Sequence, residues 1–328
     1  MEMLHHPARN EQDPIVGTDT SLSTRQIRTS LKAVILMAGS VRASKLGASI
    51  GRSLLQLPID AKTTLIEQWR QETESLVESF PLDRLSVRIM VDRNSTEPPK
   101  PNDGLATFTV ERDPLDFRGT GGVLHDLSAG YDDNDYLLVA NGLQVLTHPL
   151  AENAALLADR GGDVSIIAHH DGTPSGLMLV RCGVLRSLPA AGFVDMKEQA
   201  LPTIAKEHSV RVVELDHPSA LPVRTLSDYM HALRTHHRRS KHAQTLQDPY
   251  AEDLQATYSL VEPGADVADT ARIHDSVVLA GAKVHPDAIL VRSLVCPDAI
   301  VGRGQRVVDR VVGPTRAAVS KRGEDAWA

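Results

Sequence analysis

The segment Gly119-Thr120-Gly121-Gly122 stands directly before a helical stretch from Val123 to Ala129. Glycines at a helix entrance allow close backbone approach, and the unpaired N–H groups of a first turn favour anionic or polar ligands. A tight turn ahead of a helix would use the same residues. A second candidate is Ala38-Gly39-Ser40, a small-residue turn at the end of the apolar run Ala33 to Met37, with Arg42, Lys45 and Arg52 close behind it. Three cations after such a turn suit a phosphate-facing loop. A Walker motif is excluded, because it needs Gly before the Lys and Ser or Thr after it, and Ser44 and Leu46 flank Lys45. His169-His170 invites a metal. Neighbouring side chains on a strand point to opposite faces, however, and no partner ligands lie near, so no metal site is expected.

The elements that must position these residues alternate. Apolar runs at Ala33–Met37, Leu85–Val91 and Tyr136–Ala140 read as strands buried on both faces. Between and after them, helical periodicity is found from Thr63 to Glu78, from Val123 to Ala129 and from Ala151 to Leu157. This order predicts an α/β fold with a doubly wound, mostly parallel sheet. Ligands then belong at the carboxyl ends of its strands, which brings in Asn141-Gly142 after the third strand. Two residues of this type between apolar runs would equally serve as a hairpin turn. Val164–Ala168 and Gly176–Val184 are further strand candidates, and Thr225–Arg234 is a helix candidate. That helix leads into His236-His237-Arg238-Arg239-Ser240-Lys241-His242, which could bind an acidic partner or form a solvated helix end or linker.

The last third changes character. Val267, Ile273 and Leu279 recur every six residues; after a one-residue slip, Val284, Leu290 and Cys296 continue the period, followed by Val301 and Val307, with turn formers between them. The repeat predicts a parallel β-helix in which each rung adds an apolar residue to a continuous core. A small antiparallel sheet is the alternative.

Composition narrows the function classes. Of 328 residues, 41% are hydrophobic and 3% aromatic, with a net charge of −7. Few aromatics and an acidic balance argue against nucleic-acid binding. No run reaches the length of a membrane span, and the opening Met1-Glu2-Met3-Leu4-His5-His6 lacks the regions of a signal peptide, so a cytoplasmic location is expected. Cys182 and Cys296 are far apart and without a CxxC pairing; both read as small buried hydrophobes, Cys182 within a strand-like run.

Taken in order, these motifs resemble the sugar-1-phosphate nucleotidyltransferases of the mannose-1-phosphate guanylyltransferase type with a hexapeptide, left-handed β-helix tail, over roughly residues 32 to 312. Residues 1–30 are polar without a hydrophobic period and read as a flexible extension; the resemblance implies a nucleotidyltransferase-like domain over 31–245 and a β-helix domain and tail over 246–328. It implies a ligand among nucleotides, sugar phosphates and nucleotide sugars, and a homo- or hetero-oligomer formed through the β-helix. Gly39, Ser40 and Arg42 match the triphosphate loop, where two glycines of the family's pattern are missing. Arg52 stands where a lysine contacts phosphate, an exchange that is not neutral. Gly119, Thr120, Gly121 and Gly122 match the loop that lies against base and sugar, and Asn141-Gly142 matches the metal-binding strand end. Lys197, in Phe193-Val194-Asp195-Met196-Lys197-Glu198-Gln199, would place a positive charge on the sugar phosphate; Asp195 with Glu198 also reads as a helix cap. Both carboxylates that hold the divalent cation in the family are replaced, one by Leu143 and the other by Val223 or Arg224. Asp126, Asp135 and Asp228 are the acids that could stand in for them. The expectation is therefore a sensing or regulatory subunit that binds its ligand with weak or no turnover. An active enzyme, which alone would need Mg²⁺, and a ligand-free assembly scaffold are the alternatives.

Overall fold

The computed structural model describes residues 23–39, 45–93, 95–113, 118–245 and 258–314. Ser40 and Arg42 lie outside them. In chain order the first part comprises α1 (Thr24–Thr29), β1 (Leu31–Met37), α2 (Lys45–Ile50), α3 (Leu65–Ser79), β2 (Leu85–Val91), β3 (Ala106–Arg112), α4 (Gly119–Ser128), β4 (Tyr136–Asn141), β5 (Gln144–Leu146), α5 (Leu150–Arg160), β6 (Val164–His169), β7 (Pro174–Arg181), α6 (Cys182–Arg186), α7 (Leu201–Ile204), β8 (Val210–Leu215), β9 (Ala220–Pro222) and α8 (Leu226–Thr245). Seven of the strands form one sheet in the order β3-β2-β1-β4-β7-β6-β8. All pairings are parallel except those of β7, which runs against both neighbours. The continuous apolar runs follow from burial on both faces. Val34, Leu36, Leu138 and Ala140 face one core, while Ala33, Ile35, Leu137 and Val139 face the other. β1 and β4 are adjacent although β2 and β3 intervene in the chain, so the winding reverses between them. A crevice therefore opens at their carboxyl ends.

Several sequence expectations shift at their edges. Residues 24–29, expected within a flexible extension, form α1, which Ser23 caps through a bond from the Gln26 N–H and whose Ile27 is buried in the core; residues 1–22 of that expectation lie outside the described residues. The apolar run after Gly176 is not strand throughout. β7 stops at Arg181, and Cys182 begins a short helix because its N–H is drawn to the Asp135 carbonyl at 2.8 Å. Both cysteines are buried as expected, and burial pushes the thiols up, Cys182 to about 12 and Cys296 to about 11. β4 and β5 do not form a hairpin. β5 pairs instead with β9, from a segment some 75 residues away.

After residue 258 the chain forms three parallel ladders, running through Ser259–Val261, Asp266–Val267 and Arg272–His274 and their successors. Ser276 follows Ser259, Val284 follows Val267 and Leu290 follows Ile273 in register, so each coil takes 17 residues. Two sides advance by six residues and the third by five; the slip seen in the sequence is a corner that recurs in every coil. Asp275, Arg292 and Asp309 occupy one corner of successive coils with φ of 46°, 46° and 52°. Arg292 and Asp309 pair there at 2.6 Å. Val278, Val284, Leu290, Val295, Val301 and Val307 fill the interior, whereas Leu279 and Cys296, expected there from the six-residue period, each stand one residue past the short side and pack into the core shared with the large sheet.

The basic run after Arg234 is not a linker, and of its described side chains Arg238 is exposed while His236, His237 and Arg239 reach other parts of the fold. α8 continues through it, and its side chains seat other parts of the fold. Arg234 pairs with Asp275 of the coil at 3.1 Å, His237 stacks on Tyr258 with ring centroids 5.2 Å apart, and Arg239 donates to the Thr147 carbonyl. His236 approaches Asp60 at 3.8 Å, and His148 lies 4.1 Å from His217, ring to ring. Burial holds His236 below the ordinary imidazole range despite the pull of Asp60, and burial, His217 and Arg239 together hold His148 low. The folded protein thus resists protons that the unfolded chain accepts near its ordinary value of about 6.5. Stability from these groups is complete above that value and is lost as pH falls through it. Urea midpoints should drop between pH 7.5 and pH 5.5, and His148→Gln should flatten the drop; identical midpoints at the two pH values would contradict this.

Candidate functional site

A cavity of about 580 Å³ opens at the carboxyl ends of β1 and β4. Gly39, Thr120, Asn141, Leu143, Lys197 and Arg224 line it, and most of the remaining wall is aliphatic or methionine side chain from β1, β4, β6 and β7. Four segments singled out in the sequence therefore meet in one space: the turn after β1, the glycine motif, the end of β4 and the segment around Lys197. Its volume is that of an ordinary small-molecule site.

The end of β4 is held from behind. Gly142 donates its N–H to the Met37 carbonyl at 3.0 Å, and its carbonyl accepts from Trp69 Nε1 at 2.9 Å. A Cβ on Gly142 would lie 3.3 Å from both Ala38 and Leu36 Cβ, so a larger residue would force β1 and β4 apart. Asn141 Oδ1 accepts the Leu143 N–H at 3.1 Å, which fixes the turn into the cavity wall.

The glycine motif makes its close contacts with the protein itself. A Cβ on Gly119 would sit 2.4 Å from the Val194 carbonyl oxygen, and one on Gly121 would sit 2.8 Å from the Val194 side chain. Gly121 donates to the Val194 carbonyl at 2.8 Å, and Val194 donates to the Arg118 carbonyl at 2.8 Å. Thr120 Oγ1 accepts the Met196 N–H at 3.1 Å. Gly119 and Gly121 thus dock the segment that carries Lys197, and of the four motif residues only Thr120 lines the cavity. Asp195 caps the turn Met196–Ala200 by accepting from the N–H groups of Lys197 and Glu198 at 2.9 and 2.8 Å. The cap and the ligand-facing position coexist, since Asp195 and Lys197 both line the cavity.

Leu143 stands at one position expected for a metal carboxylate and Val223 or Arg224 at the other; Leu143 and Arg224 line the cavity, while Val223 is fully buried. Leu143 is buried at 8% exposure. A leucine offers no donor oxygen and a guanidinium repels a cation, so these residues do not fit Mg²⁺. The acids considered as stand-ins are held elsewhere. Asp126 pairs with Arg118 at 2.6 Å, Asp135 accepts the Asp132 N–H at 2.9 Å, and Asp228 accepts the Thr225 N–H at the start of α8 at 3.1 Å. Among the described residues, no three His, Cys, Asp or Glu side chains are grouped to hold an ion.

Arg52 is not among the cavity-lining residues. Its guanidinium forms two bonds, at 2.6 and 3.0 Å, to Glu262 at the start of the coil, and Glu262 also accepts the Ala280 N–H at 2.8 Å. The two side chains are 19% and 15% exposed. Arg52→Met should therefore cost about 2 kcal/mol, less than a fully buried pair, by leaving Glu262 without its counter-charge. Adding Glu262→Leu should recover part of it in urea unfolding; a single variant as stable as wild type would show that the Arg52–Glu262 pair does not stabilise the fold.

Sequence reasoning missed the contribution of β7. Gly176, inside an apolar strand, was its one available signal, since a glycine there often marks close approach of another group.

No protein-family model matches the chain, and no curated protein matches its sequence. Among solved structures it is similar to a homologue of Mycobacterium tuberculosis rv0371c from Mycobacterium sp. strain JC1, with TM-score 0.44 and 19% identity, covering 66% of this chain and 100% of that one. It is also similar to HddC from Yersinia pseudotuberculosis, with TM-score 0.43 and 14% identity, covering 62% of this chain and 98% of that chain; HddC has also been solved complexed with GMP-PN.

Proposed function

We propose that this chain is a nucleotidyltransferase-like protein that binds a nucleotide sugar, nucleotide or sugar phosphate between β1 and β4, with weak or no turnover, as a sensing or regulatory subunit. The convergence of Gly39, Thr120, Asn141 and Lys197 on one cavity at the winding reversal carries this reading. Lys197 and Arg224 supply positive charge for a phosphate, and the apolar wall suits the faces of a base or sugar ring. Leu143 at one metal position and Val223 or Arg224 at the other support weak turnover, because phosphoryl transfer depends on a cation to neutralise charge at the phosphates.

Thermal unfolding with nucleoside triphosphates, hexose phosphates and nucleotide sugars, each with Mg²⁺ or with EDTA, tests the reading. A nucleotide sugar at a hundred times its dissociation constant should stabilise the protein by about 2.7 kcal/mol whether or not metal is present. Lys197→Ala should weaken that ligand about fivefold, as expected for one exposed charged contact of about 1 kcal/mol. Stabilisation by a triphosphate only with Mg²⁺ would favour an active enzyme instead. No shift with any compound would leave an assembly scaffold.

A further inference from the structure

One row of apolar side chains crosses four strands of the large sheet. Val139 of β4 stands opposite Met178 of β7, Met178 opposite Ile166 of β6, and Ile166 opposite Val212 of β8. Val139, Met178 and Ile166 all line the cavity. They belong to one core face, together with Val210, two residues before Val212 on β8. Alternation along a strand puts Val210 and Val212 on the same side, so the row runs from the cavity wall to β8, the last strand in the sheet order. Its cover thins on the way: Val139 and Met178 are 7% and 8% exposed, Ile166 is half-buried and Val212 is 42% exposed. Three strand spacings make the row roughly 14 Å long.

The row offers a polar ligand group nothing to pair with. The polar side chains elsewhere in the cavity wall are partly committed, since Thr120, Asn141 and Asp195 each accept backbone N–H groups through a side-chain oxygen. Hydroxyls laid along the row would lose water without replacement, which is unfavourable, whereas a hydrocarbon gains by leaving water there. Lys197 and Arg224 line the same cavity, so the space combines positive charge with an apolar track that leads to solvent. The geometry points to a hydrocarbon branch of the site: the row Val139–Met178–Ile166–Val212 holds an alkyl or prenyl chain esterified to the phosphate that meets Lys197 and Arg224. The ligand class is thereby a phosphate ester of a long-chain alcohol, with the nucleotide or sugar as the other substituent of the phosphate. The branch rests on the functional reading above for the place of that phosphate.

The probes are n-alkyl phosphates from butyl to decyl, kept below their micelle concentrations, with inorganic phosphate and decanol as controls, read by thermal unfolding. Each added methylene should tighten binding about fourfold, the gain from removing it from water. Decanol, which lacks the phosphate, and inorganic phosphate, which lacks the chain, should each bind more weakly than decyl phosphate. Ile166→Asp puts a charge in the middle of the row and should weaken decyl phosphate by about tenfold or more. Lys197→Ala should weaken butyl and decyl phosphate by the same factor. Equal affinity across the series, a midpoint that falls with chain length, or decanol bound as tightly as decyl phosphate overturns the branch. So does decyl phosphate bound equally by Ile166→Asp and wild type. If GDP-mannose, GDP or glucose 1-phosphate stabilises the protein in that case, the functional reading stands without the branch. Stabilisation by the alkyl series and by none of those three keeps the branch and overturns the ligand class of the functional reading. Should Ile166→Asp not fold, ¹³C-methyl labelling of methionine decides in the wild-type protein: the Met178 signal moves with decyl phosphate and not with inorganic phosphate, and an unmoved signal overturns the branch.

Discussion

Trp69→Ala should destabilise the protein by about 4 kcal/mol, within the range for large aromatic truncations in cores. Trp69 is the largest fully buried side chain of α3, at 0% exposure, and two separate losses add. The first is the apolar contact between α3 and the sheet, together with the void left by the indole. The second is the bond from Nε1 to the Gly142 carbonyl, 2.9 Å long, whose removal leaves a buried acceptor unpaired. Trp69→Phe separates them. It keeps most of the apolar volume and should cost about 1–2 kcal/mol for the orphaned carbonyl alone. Because that carbonyl belongs to the residue after Asn141, the Phe variant should also reduce ligand-induced stabilisation, although Trp69 does not line the cavity. Urea titration with an unchanged slope measures both stabilities. A loss below about 1 kcal/mol for the alanine variant would be too small for a buried tryptophan and would refute its packing role.

The second large effect is expected for Gly119→Ala, at about 3 kcal/mol. With φ at +70°, any Cβ costs about 1–2 kcal/mol through its contact with the local backbone. The new methyl would also lie 2.4 Å from the Val194 carbonyl oxygen and 2.7 Å from its carbon. These are backbone atoms, which cannot swing aside as a flexible side chain would, so the two segments must separate, adding a strain of about 1–3 kcal/mol. Separation weakens the bond from the Gly121 N–H to Val194 and moves Asp195 and Lys197 away from the cavity. Ligand-induced stabilisation should fall along with stability. Gly130→Ala is the control, as its Cβ would meet nothing nearer than the Leu127 carbonyl at 3.9 Å and should change stability little. Equal stability of the two variants would show that the Gly119–Val194 approach does not hold the site together.

Much of this architecture was legible in the chain. The runs Leu85–Val91 and Tyr136–Ala140 identify strands because two-sided burial leaves no polar alternation, and the strand from Leu85 to Val91 has the same limits in the structure. The recurrence from Val267 to Val307 identifies the coil because every rung repeats the same packing, although at Leu279 and Cys296 the inward position belongs to the preceding valine. Asp195, with Glu198 three residues on, identifies a cap because its side chain satisfies N–H groups two and three residues away. In each case the interaction is local or periodic, so the residues that make it are written close together.

What the sequence could not decide was which distant groups meet. The glycine motif was compatible with close approach by a ligand, yet the group that approaches Gly119 and Gly121 is Val194, more than 70 residues away. Arg52 was compatible with a phosphate, yet its charge is taken by Glu262 across the junction with the coil. The basic run of α8 was compatible with solvent, yet the folded chain brings Asp275, Tyr258 and Thr147 to it. The row from Val139 to Val212 carried no signal at all, since cross-strand register exists only when the sheet assembles. The sequence by itself therefore determined the periodic elements and the small, charged and capping residues available to a site. Tertiary packing alone decided which of those glycines and charges the protein uses internally and which it leaves facing the cavity, because desolvation and close contact are properties of the assembled fold.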